Sequence, residues 1–382
     1  MIERKVLIIS FSDIKNDPRV YRQILFLKDS YKITSLGFSN SNIESVRSIV
    51  LNKVNNTGVL HKIERAILLL SRNYESAYWK HKLIKEAIEK IKENSSNFDI
   101  VIANDFDTLP LASWVKNNGF AKKLLFDAHE YSPLQFEDRL IWRIFFMGYA
   151  KYLIKKYIRQ ADKMVTVSYN IADRYKKENN IECDVITNAG FYHELLPSTI
   201  SDQKIRIIHH GNANRSRNIE LMMDMADFLD SRFEMYFMLM PVDKRYYNFL
   251  IKYAKNKENV HIIEPVKMNE IVSTINKYDI GLFLLKPVNY NYANALPNKL
   301  FEFIQARLAI AIGPTPEMVN IVKKYDLGVI ADSFNPKDLA YNINNLTKEM
   351  IWHFKNQTNI AAKELTAEKN KALLMNIIDD MI

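Results

Sequence analysis

The sequence has very little cysteine, with only Cys183 among its 382 residues. No intramolecular disulfide can form, and no Cys/His spacing typical of a zinc site is present. This cysteine usage is typical of a reducing compartment. No uninterrupted apolar run approaches the roughly 20 residues that a membrane-spanning helix needs. The amino terminus leads into a predicted strand without a signal-peptide pattern, so we expect a cytoplasmic protein.

Acidic residues are outnumbered, with 44 Asp and Glu against 53 Lys and Arg, which gives a net charge of +9. A basic balance favours a polyanionic partner or an anionic membrane surface. No zinc finger or RNP-type strand accompanies it, so we expect no nucleic-acid partner. The contents of 48% hydrophobic and 25% charged residues are those of an ordinary globular protein. The length exceeds a usual single core, which predicts two domains.

Short apolar runs alternate with helix-length segments in both halves of the chain. Such runs are typical of parallel sheets covered by helices on both faces. The predicted strands are Lys5–Ser10, Lys32–Gly37, Asp99–Ala103, Lys122–Asp127, Lys163–Val167 and Cys183–Thr187, then Ile205–His210, Glu234–Met240, Val260–Ile263, Ile280–Leu285, Leu308–Ile312 and Gly328–Ala331. This pattern predicts an α/β protein of two doubly wound, Rossmann-like domains facing across a cleft. A Pro/Ser/Thr-rich linker around Leu196–Lys204 places the domains at 1–198 and 199–359.

The stretch Ala-Leu-Pro-Asn-Lys-Leu-Phe-Glu-Phe, residues 295–303, predicts an anion site. Pro297 suits the first turn of a helix, whose unpaired N–H groups attract anions. Lys299 and Glu302 lie three residues apart on one helical face. The amides and Lys299 suit the phosphates of a nucleoside diphosphate, and Glu302 suits its ribose hydroxyls. The alternative is a capped surface helix with an ordinary Lys–Glu pair.

Two arginines, Arg215 and Arg217, follow a predicted strand and precede a predicted helix. A guanidinium gives bidentate, charge-assisted hydrogen bonds to phosphate at every relevant pH. As a diphosphate leaves, cations there stabilise the transition state more than the ground state. The alternative is a solvated loop with ordinary surface arginines.

The polar residues after strands of the first half are the other site candidates, because ligands bind at the carboxyl ends of parallel strands. His129 follows one strand end, where a neutral imidazole would bind a sugar hydroxyl or orient a neighbouring carboxylate. The alternative is an ordinary packing or loop residue. Asp105 and Asp107 have the spacing of a metal-binding DxD motif, although a loop or helix-cap role is simpler. Asp17 and Pro18 predict a helix start that directs Arg19 toward the cleft, and plain helix capping is the alternative.

Five segments together resemble GT-B glycosyltransferases, in particular the retaining enzymes of family 4. They are LPNKLFEFI, HHGNANRSRNIELMM, VITNAGF, NDPRVYRQI and FDAHEYSP. The resemblance implies that Glu302 binds the ribose of the donor. It also implies that Gly211 is the glycine of the diphosphate-binding loop, with Arg215 and Arg217 as its basic residues. His129 matches a strand-end histidine near the transferred sugar, and we take it as the catalytic candidate.

Some positions depart from the family pattern. Asn294 stands where the first glutamate of the common pair is expected, Asn212 replaces an arginine, and Arg307 replaces a small glycine. An asparagine can still hydrogen-bond sugar hydroxyls, but it supplies no charge. We keep Asn294 as a candidate near the donor sugar for this reason. The other candidates there are Asn298, Arg19 and Glu130.

The resemblance implies a retaining, metal-independent glycosyltransferase with no cofactor and a UDP- or GDP-linked sugar as donor. The implied acceptor is a saccharide on a lipid carrier, as in synthesis of a bacterial capsule or lipopolysaccharide. The resemblance also implies that a final helix, about Ile360–Ile382, packs back on the first domain. A nucleotide-sugar epimerase of the same architecture and a non-catalytic nucleotide- or glycan-binding homologue are the alternatives.

A basic and aromatic segment, Arg139–Arg159, contains six Lys or Arg residues and no acid. A second basic segment, Leu60–Lys92, contains Tyr78 and Trp79. Basic amphipathic helices of this kind bind anionic membranes, which predicts peripheral contact with the inner face of the cell membrane. The alternative is a helix packed within the first domain whose lysines reach solvent.

Overall fold

The computed structural model describes residues 4–53, 59–94 and 97–382. The chain forms two α/β units. The first comprises Met1–Thr187, Asn289–Asn291 and Lys371–Ile382, and the second comprises Asn188–Val288 and Tyr292–Asn370. The predicted linker around 196–204 thus lies inside the second unit. Of the predicted terminal segment 360–382, residues 371–382 belong to the first unit.

Within the described residues, the first unit has a sheet of seven parallel strands in the order β3-β2-β1-β4-β5-β6-β7. The order reverses direction between β1 and β4, which lie side by side. The strands are β1 (Lys5–Ile9), β2 (Lys32–Gly37), β3 (Arg47–Val50), β4 (Phe98–Asn104), β5 (Ala121–Ala128), β6 (Lys163–Thr166) and β7 (Asp184–Val185).

The sheet of the second unit has six parallel strands among the residues described, in the order β10-β9-β8-β11-β12-β13. Its order reverses between β8 and β11. The strands are β8 (Ile205–Asn212), β9 (Phe233–Met240), β10 (Val260–Ile263), β11 (Ile280–Phe283), β12 (Ala309–Ile312) and β13 (Gly328–Ile330).

Helices connect the strands in both units. The α-helices are α1 (Pro18–Leu27), α2 (Val59–Leu70), α3 (Tyr74–Trp79), α4 (Lys82–Glu93), α5 (Leu109–Asn117), α6 (Met147–Tyr157), α7 (Tyr169–Asn179), α8 (Ile219–Met223), α9 (Lys244–Ala254), α10 (Ile271–Ile275), α11 (Tyr290–Ala293), α12 (Asn298–Gln305), α13 (Pro316–Tyr325), α14 (Pro336–Asn344), α15 (Lys348–Ala361) and α16 (Ala367–Asp379). A π-helical turn, Trp142–Phe146, precedes α6. None of the helices in the described ranges combines the length and apolar character that crossing a bilayer requires.

The apolar runs form central strands because both faces of each sheet are covered by helices. In β1, Val6 through Ile9 are buried, and Val6 and Ile8 pair in register with Ile100 and Ile102 of β4. Continuous Val, Ile and Leu runs are the sequence pattern of such doubly covered parallel strands. The prediction of two parallel α/β sheets is confirmed.

One strand, β3 (Arg47–Val50), was not predicted from the sequence. Only Ile49 of this four-residue strand is buried. It pairs with β2 alone, at the edge of the sheet. An edge strand does not need a continuous apolar run, so it lacks the signal that identified the other strands.

In each unit the order of strands reverses at one point, and such a point leaves a crevice at the carboxyl ends of the strands. In the first unit the end of β4, at Asn104, lies there. In the second unit the end of β8, at Gly211 and Asn212, lies there. The candidate residues at these ends are therefore placed where ligands bind in open α/β sheets.

Candidate functional site

Gly211 lies at the carboxyl end of β8 with φ of 135°, in a region that residues with a side chain rarely adopt. A Cβ placed there would overlap Nζ of Lys299 and lie 2.7 Å from its Cε. It would also lie 3.9 Å from Nη1 of Arg217. Glycine is thus needed both by the backbone conformation and by the close approach of the Lys299 side chain. The structure brings together three residues that the sequence analysis assigned to the diphosphate.

Lys299 is the second residue of α12 and only 7% exposed. Burial lowers its pKa to about 7, assisted by the nearby charge of Arg217 and opposed by Glu302. Helix α12 begins at Asn298, and Pro297 is its cap residue, one position before the predicted place in the first turn. Helix geometry gives the amides of Asn298 and Lys299 no partner within the helix, whereas the Leu300 amide donates to the Pro297 carbonyl at 3.1 Å. A buried cation beside these amides is an electrostatically prepared site for an anion.

The two arginines differ in their surroundings. Both lie in the single 3-10 turn Arg215–Arg217, whose cap residue Asn214 accepts a hydrogen bond from the Ser216 amide. Arg217 is half-buried near Gly211, and its charge contributes to the lowered pKa values of Lys299, His209 and His210. The guanidinium of Arg215 is exposed, 5.3 Å from the centre of the Tyr246 ring. Arg217 therefore has the stronger claim to a phosphate.

Glu302 lies one turn after Lys299 in α12, with its side chain 21% exposed. Its Oε2 is 3.3 Å from Nε2 of His210, the buried residue that precedes Gly211. Burial lowers the pKa of His210 well below its ordinary value, and the charges of Lys299 and Arg217 lower it further. The imidazole is therefore neutral at pH 7 and lies beside the carboxylate without neutralising it, at a distance but not in the geometry of a hydrogen bond. The His210 ring is packed edge-on against Phe303, 5.3 Å between centroids.

His210 was not among the site residues predicted from the sequence. The feature that could have identified it as a site residue is its position at the end of a strand, immediately before the glycine of the loop. A histidine within an apolar strand was taken as part of the strand. Its contact with Glu302 depends on the pairing of β8 and the packing of α12, which the local sequence does not reveal.

The remaining residues expected near the donor sugar lie in two places. Asn294 is buried between α11 and α12, and Asn298 is the exposed first residue of α12. Asn188 Nδ2 donates a hydrogen bond of 3.4 Å to the carbonyl of Leu296. This contact ties the segment that begins the second unit to the loop before α12. Asn294 and Asn298 thus belong to the second unit, whereas Arg19 and Glu130 belong to the first.

His129 follows β5 and is bound to the end of β4. Its Nδ1 lies 3.2 Å from Oδ2 of Asp105, and its Nε2 lies 3.1 Å from Oδ1 of Asn104. Its amide donates to Oδ1 of Asp105 as well. Burial lowers the pKa of His129, but the Asp105 carboxylate outweighs this and raises it to about 9. The side chain is therefore an imidazolium at pH 7, a hydrogen-bond donor, whereas a neutral ring was expected from the sequence.

Two further carboxyl groups near His129 have raised pKa values. Burial and the charge of Asp105 raise the pKa of Asp107 and that of Glu130 to about 7. Glu130 Oε2 also accepts a hydrogen bond of 3.3 Å from Asn291. Groups that titrate near pH 7 are suited to exchange protons with a hydroxyl of a bound molecule.

The alternative role of Asp105 and Asp107 was a metal-binding pair. Asp105 adopts a positive φ of 67° and binds His129 through both carboxylate oxygens. The helix that follows is α5, and its cap residue is Thr108, not either aspartate. In the part of the chain that the structure describes, no three His, Cys, Asp or Glu side chains are grouped to hold a metal ion.

Arg19 is buried in an ion pair, contrary to the prediction that it points toward a cleft. Its Nη2 lies 2.6 Å from Oδ1 of Asp127, and its Nε donates to both oxygens of that carboxylate. Its Nη1 donates to the Ile186 carbonyl at 2.8 Å. Asp17 caps α1 as predicted, accepting from two amides of the first turn. Arg19 therefore acts as a positioning residue that fixes the end of β5 next to His129.

No family model matches the chain, and none of the curated proteins matches it. Solved structures do. Sucrose-phosphate synthase from Thermosynechococcus elongatus matches with a TM-score of 0.73 at 12% identity, covering 99% of both chains. Anabaena HepE, solved in complex with UDP and glucose, matches with a TM-score of 0.69 at 12% identity, over 99% of this chain and all of that one.

A third match is the Escherichia coli trehalose-6-phosphate protein bound with UDP-2-fluoro glucose, with a TM-score of 0.70 at 9% identity and 99% coverage of both chains. The chain has the GT-B fold. This agrees with the architecture expected from the sequence. At these identities the matches establish the fold.

Proposed function

We propose that the protein is a glycosyltransferase that moves a sugar from a nucleotide diphosphate donor to a saccharide acceptor. The observation that carries this proposal is the convergence of Lys299 and Arg217 on Gly211, with Glu302 one helical turn away. The arrangement offers two cations and the amides of a helix start to a diphosphate. It offers a carboxylate to ribose hydroxyls. The GT-B fold, shared with proteins solved with UDP or a UDP-sugar bound, supports this assignment.

The second unit stabilises the leaving group in this mechanism. Negative charge grows on the diphosphate as the bond to the sugar breaks. Lys299 and Arg217 interact more strongly with that charge than with the intact donor, so they lower the barrier. Glu302, which lies beside His210, accepts hydrogen bonds from the ribose and fixes the donor in place. Charge-assisted hydrogen bonds of this type are shorter and stronger than neutral ones.

The first unit binds the acceptor in our proposal. The His129 imidazolium is held by Asp105 at Nδ1. On acceptor binding its Nε2–H donates to a sugar hydroxyl in place of Asn104 Oδ1. Glu130 and Asp107 lie nearby with pKa values of about 7 and can take up the proton that the acceptor releases. Following the resemblance to family 4, we further propose retention of the anomeric configuration and no metal requirement.

The acceptor class also follows from the sequence resemblance. We propose a lipid-linked saccharide of a bacterial surface polysaccharide, such as a capsule or lipopolysaccharide intermediate. Asn294, at the position of the usual first glutamate, favours the rival view of a non-catalytic binding protein. An epimerase would act on the donor alone. A transferase releases the nucleotide, a binding protein leaves the donor intact, and an epimerase converts the donor sugar to its epimer.

The proposal is tested by following UDP or GDP release from a panel of nucleotide sugars, with and without saccharide acceptors. We expect release that an acceptor accelerates. Glu302→Gln weakens a charge-assisted hydrogen bond to ribose, so the KM for the donor should rise about 30-fold, or about 2 kcal/mol. Glu258→Gln, which changes an exposed glutamate of the same unit, should leave KM unchanged.

Two results would contradict the proposal. Saturable nucleotide binding without any release or transfer indicates a binding protein. Conversion of the donor sugar to its epimer, with no dependence on acceptor, indicates an epimerase.

A further inference from the structure

Two neighbouring helical segments of the first unit expose large apolar side chains. On α2 these are Ile63, Ile67 and Leu70, at spacings of four and three residues, which place them in one stripe along the helix. In the segment around the π-helical turn they are Leu140, Ile141 and Ile144. Each of the six side chains is between 50 and 67% exposed. We call these six residues the apolar stripe.

The two segments that carry the apolar stripe pack against each other and against the core of the first unit. Helix α2 packs against the π-helical turn Trp142–Phe146. Leu69 is buried on the inner side of α2, and Phe145 and Phe146 pack on the core of the first unit. Trp142 stacks on Phe146, and its Nε1 donates to the Pro133 carbonyl. The two helical segments that carry the exposed side chains are therefore packed on the core of the first unit.

Cations accompany the apolar stripe. Lys62 and Arg72 are exposed on and just after α2, and Arg139 and Arg143 are exposed beside Leu140 and Ile144. Nearby exposed acids are Glu64 and Asp138. Residues 139–159 contain six Lys or Arg residues and no acid. The surface thus combines aliphatic side chains with an excess of positive charge.

We infer that this surface docks on an anionic lipid bilayer, with the apolar stripe inserted among the lipid tails near the headgroups. Anionic headgroups complement the cations, and the acyl chains accept the aliphatic side chains. A second copy of this chain on the same surface would bring like charges together across a two-fold interface. A nucleic acid would engage the cations but leave the isoleucines and leucines in water.

The inference stands on this surface alone and does not depend on the proposed activity. If both hold, the docked first unit meets a lipid-linked acceptor at the bilayer where that acceptor resides. Vesicle binding is measured without donor or acceptor, and nucleotide binding is measured without vesicles. If membrane docking fails its test, the proposed glycosyltransferase function can still be tested, and the converse holds.

The test is co-sedimentation of the full chain with vesicles of phosphatidylglycerol and phosphatidylcholine, and with vesicles of phosphatidylcholine alone. We expect binding to the anionic vesicles that weakens as salt rises from about 0.1 to about 1 M, because salt screens the exposed charges. The double variant Ile67→Ser/Ile141→Ser should bind at least about tenfold more weakly, because two aliphatic side chains leave the interface. Both positions are exposed, so thermal unfolding should be unchanged.

Leu196→Ser/Val242→Ser is the matched control, since it removes two similarly exposed apolar side chains from the second unit. It should bind vesicles as the parent does. Equal binding by parent and Ile67→Ser/Ile141→Ser, or no preference for anionic vesicles, would overturn the inference. Self-association of the parent that the Ile67→Ser/Ile141→Ser variant lacks, measured by sedimentation equilibrium, would assign the surface to a second copy.

Discussion

Replacing Lys299 with methionine is expected to weaken UDP or GDP binding about 100-fold, or about 3 kcal/mol, without lowering the melting temperature of the ligand-free protein. The side chain is buried beside Arg217, and its pKa of about 7 shows that the empty site disfavours its charge. A methionine of similar length removes that unfavourable burial. It also removes a charge-assisted hydrogen bond to phosphate. A residue retained at a cost in stability is typical of a functional site.

The measurement is a thermal-shift titration of the parent and of Lys299→Met with UDP and GDP, in which ligand binding raises the melting temperature. Lys355→Met is the matched control, because Lys355 is the other deeply buried lysine of the described second unit. It donates to the Tyr278 carbonyl and lies 3.8 Å from Asp279. Its loss should lower stability and leave nucleotide affinity unchanged. Our assignment would be refuted if Lys299→Met left nucleotide affinity unchanged while Lys355→Met weakened it.

The lowered pKa of Lys299 predicts that the protein takes up a proton when it binds a nucleoside diphosphate. In the empty protein Lys299 loses its proton above a pKa of about 7, and a bound diphosphate raises that pKa. Binding at about pH 8 therefore takes up a proton, and affinity falls as pH rises above 7. Titration calorimetry in two buffers of different ionisation enthalpy measures this uptake. In Lys299→Met the uptake should disappear.

Raising the pH lowers nucleotide affinity but should increase the contribution of Lys299 to the stability of the ligand-free protein. Between the folded pKa of about 7 and the ordinary value of 10.5, the unfolded chain binds more protons at Lys299 than the folded chain. The contribution of Lys299 to the free energy of unfolding therefore rises with pH across this window. Lys299→Met should show a smaller rise than the parent over the same range of pH.

Replacing Asp127 with alanine is expected to destabilise the first unit by about 3–5 kcal/mol, because it leaves the buried Arg19 guanidinium without its carboxylate. Gln23, which donates to the same carboxylate at 3.0 Å, would lose its partner too. Hydrogen exchange at the amides of β4 and β5 reports this unit separately, which matters because two units need not unfold together.

The double variant Arg19→Met/Asp127→Leu provides the control. It removes both charges together and leaves no buried ion uncompensated, so it should be less destabilised than Asp127→Ala. Unchanged exchange protection in Asp127→Ala would show that the ion pair does not hold the end of β5.

The fold was largely predictable from the sequence because central parallel strands carry a strong local signal. Runs such as Val6–Ile9 are apolar at every position, since both faces of the sheet are covered. Strand β3 had no such signal, because only Ile49 is buried and the strand lies at the edge. The start of α12 was predicted one residue early, since Pro297 is suited to either side of a helix boundary.

The candidate site was predictable where its residues are neighbours in sequence. Lys299 and Glu302 share one helical face, so their spacing alone placed them together. The approach of Lys299 to Gly211 and the contact of His210 with Glu302 join residues far apart in the chain. The prediction that Arg19 points toward the interdomain cleft missed its buried ion pair for the same reason, because its partner Asp127 comes from a distant strand. Contacts of this kind follow from strand order, which local patterns do not encode.

Binding of the diphosphate by the second unit is the central claim, and calorimetric titration with UDP, UMP and uridine, and with the guanine series, tests it most directly. We predict that one diphosphate binds at least about tenfold more tightly than its monophosphate, and that the nucleoside binds most weakly, because each phosphate adds charge-assisted hydrogen bonds to Lys299, Arg217 and the first turn of α12. Equal affinities across either series, or no binding of any nucleotide, would contradict the account.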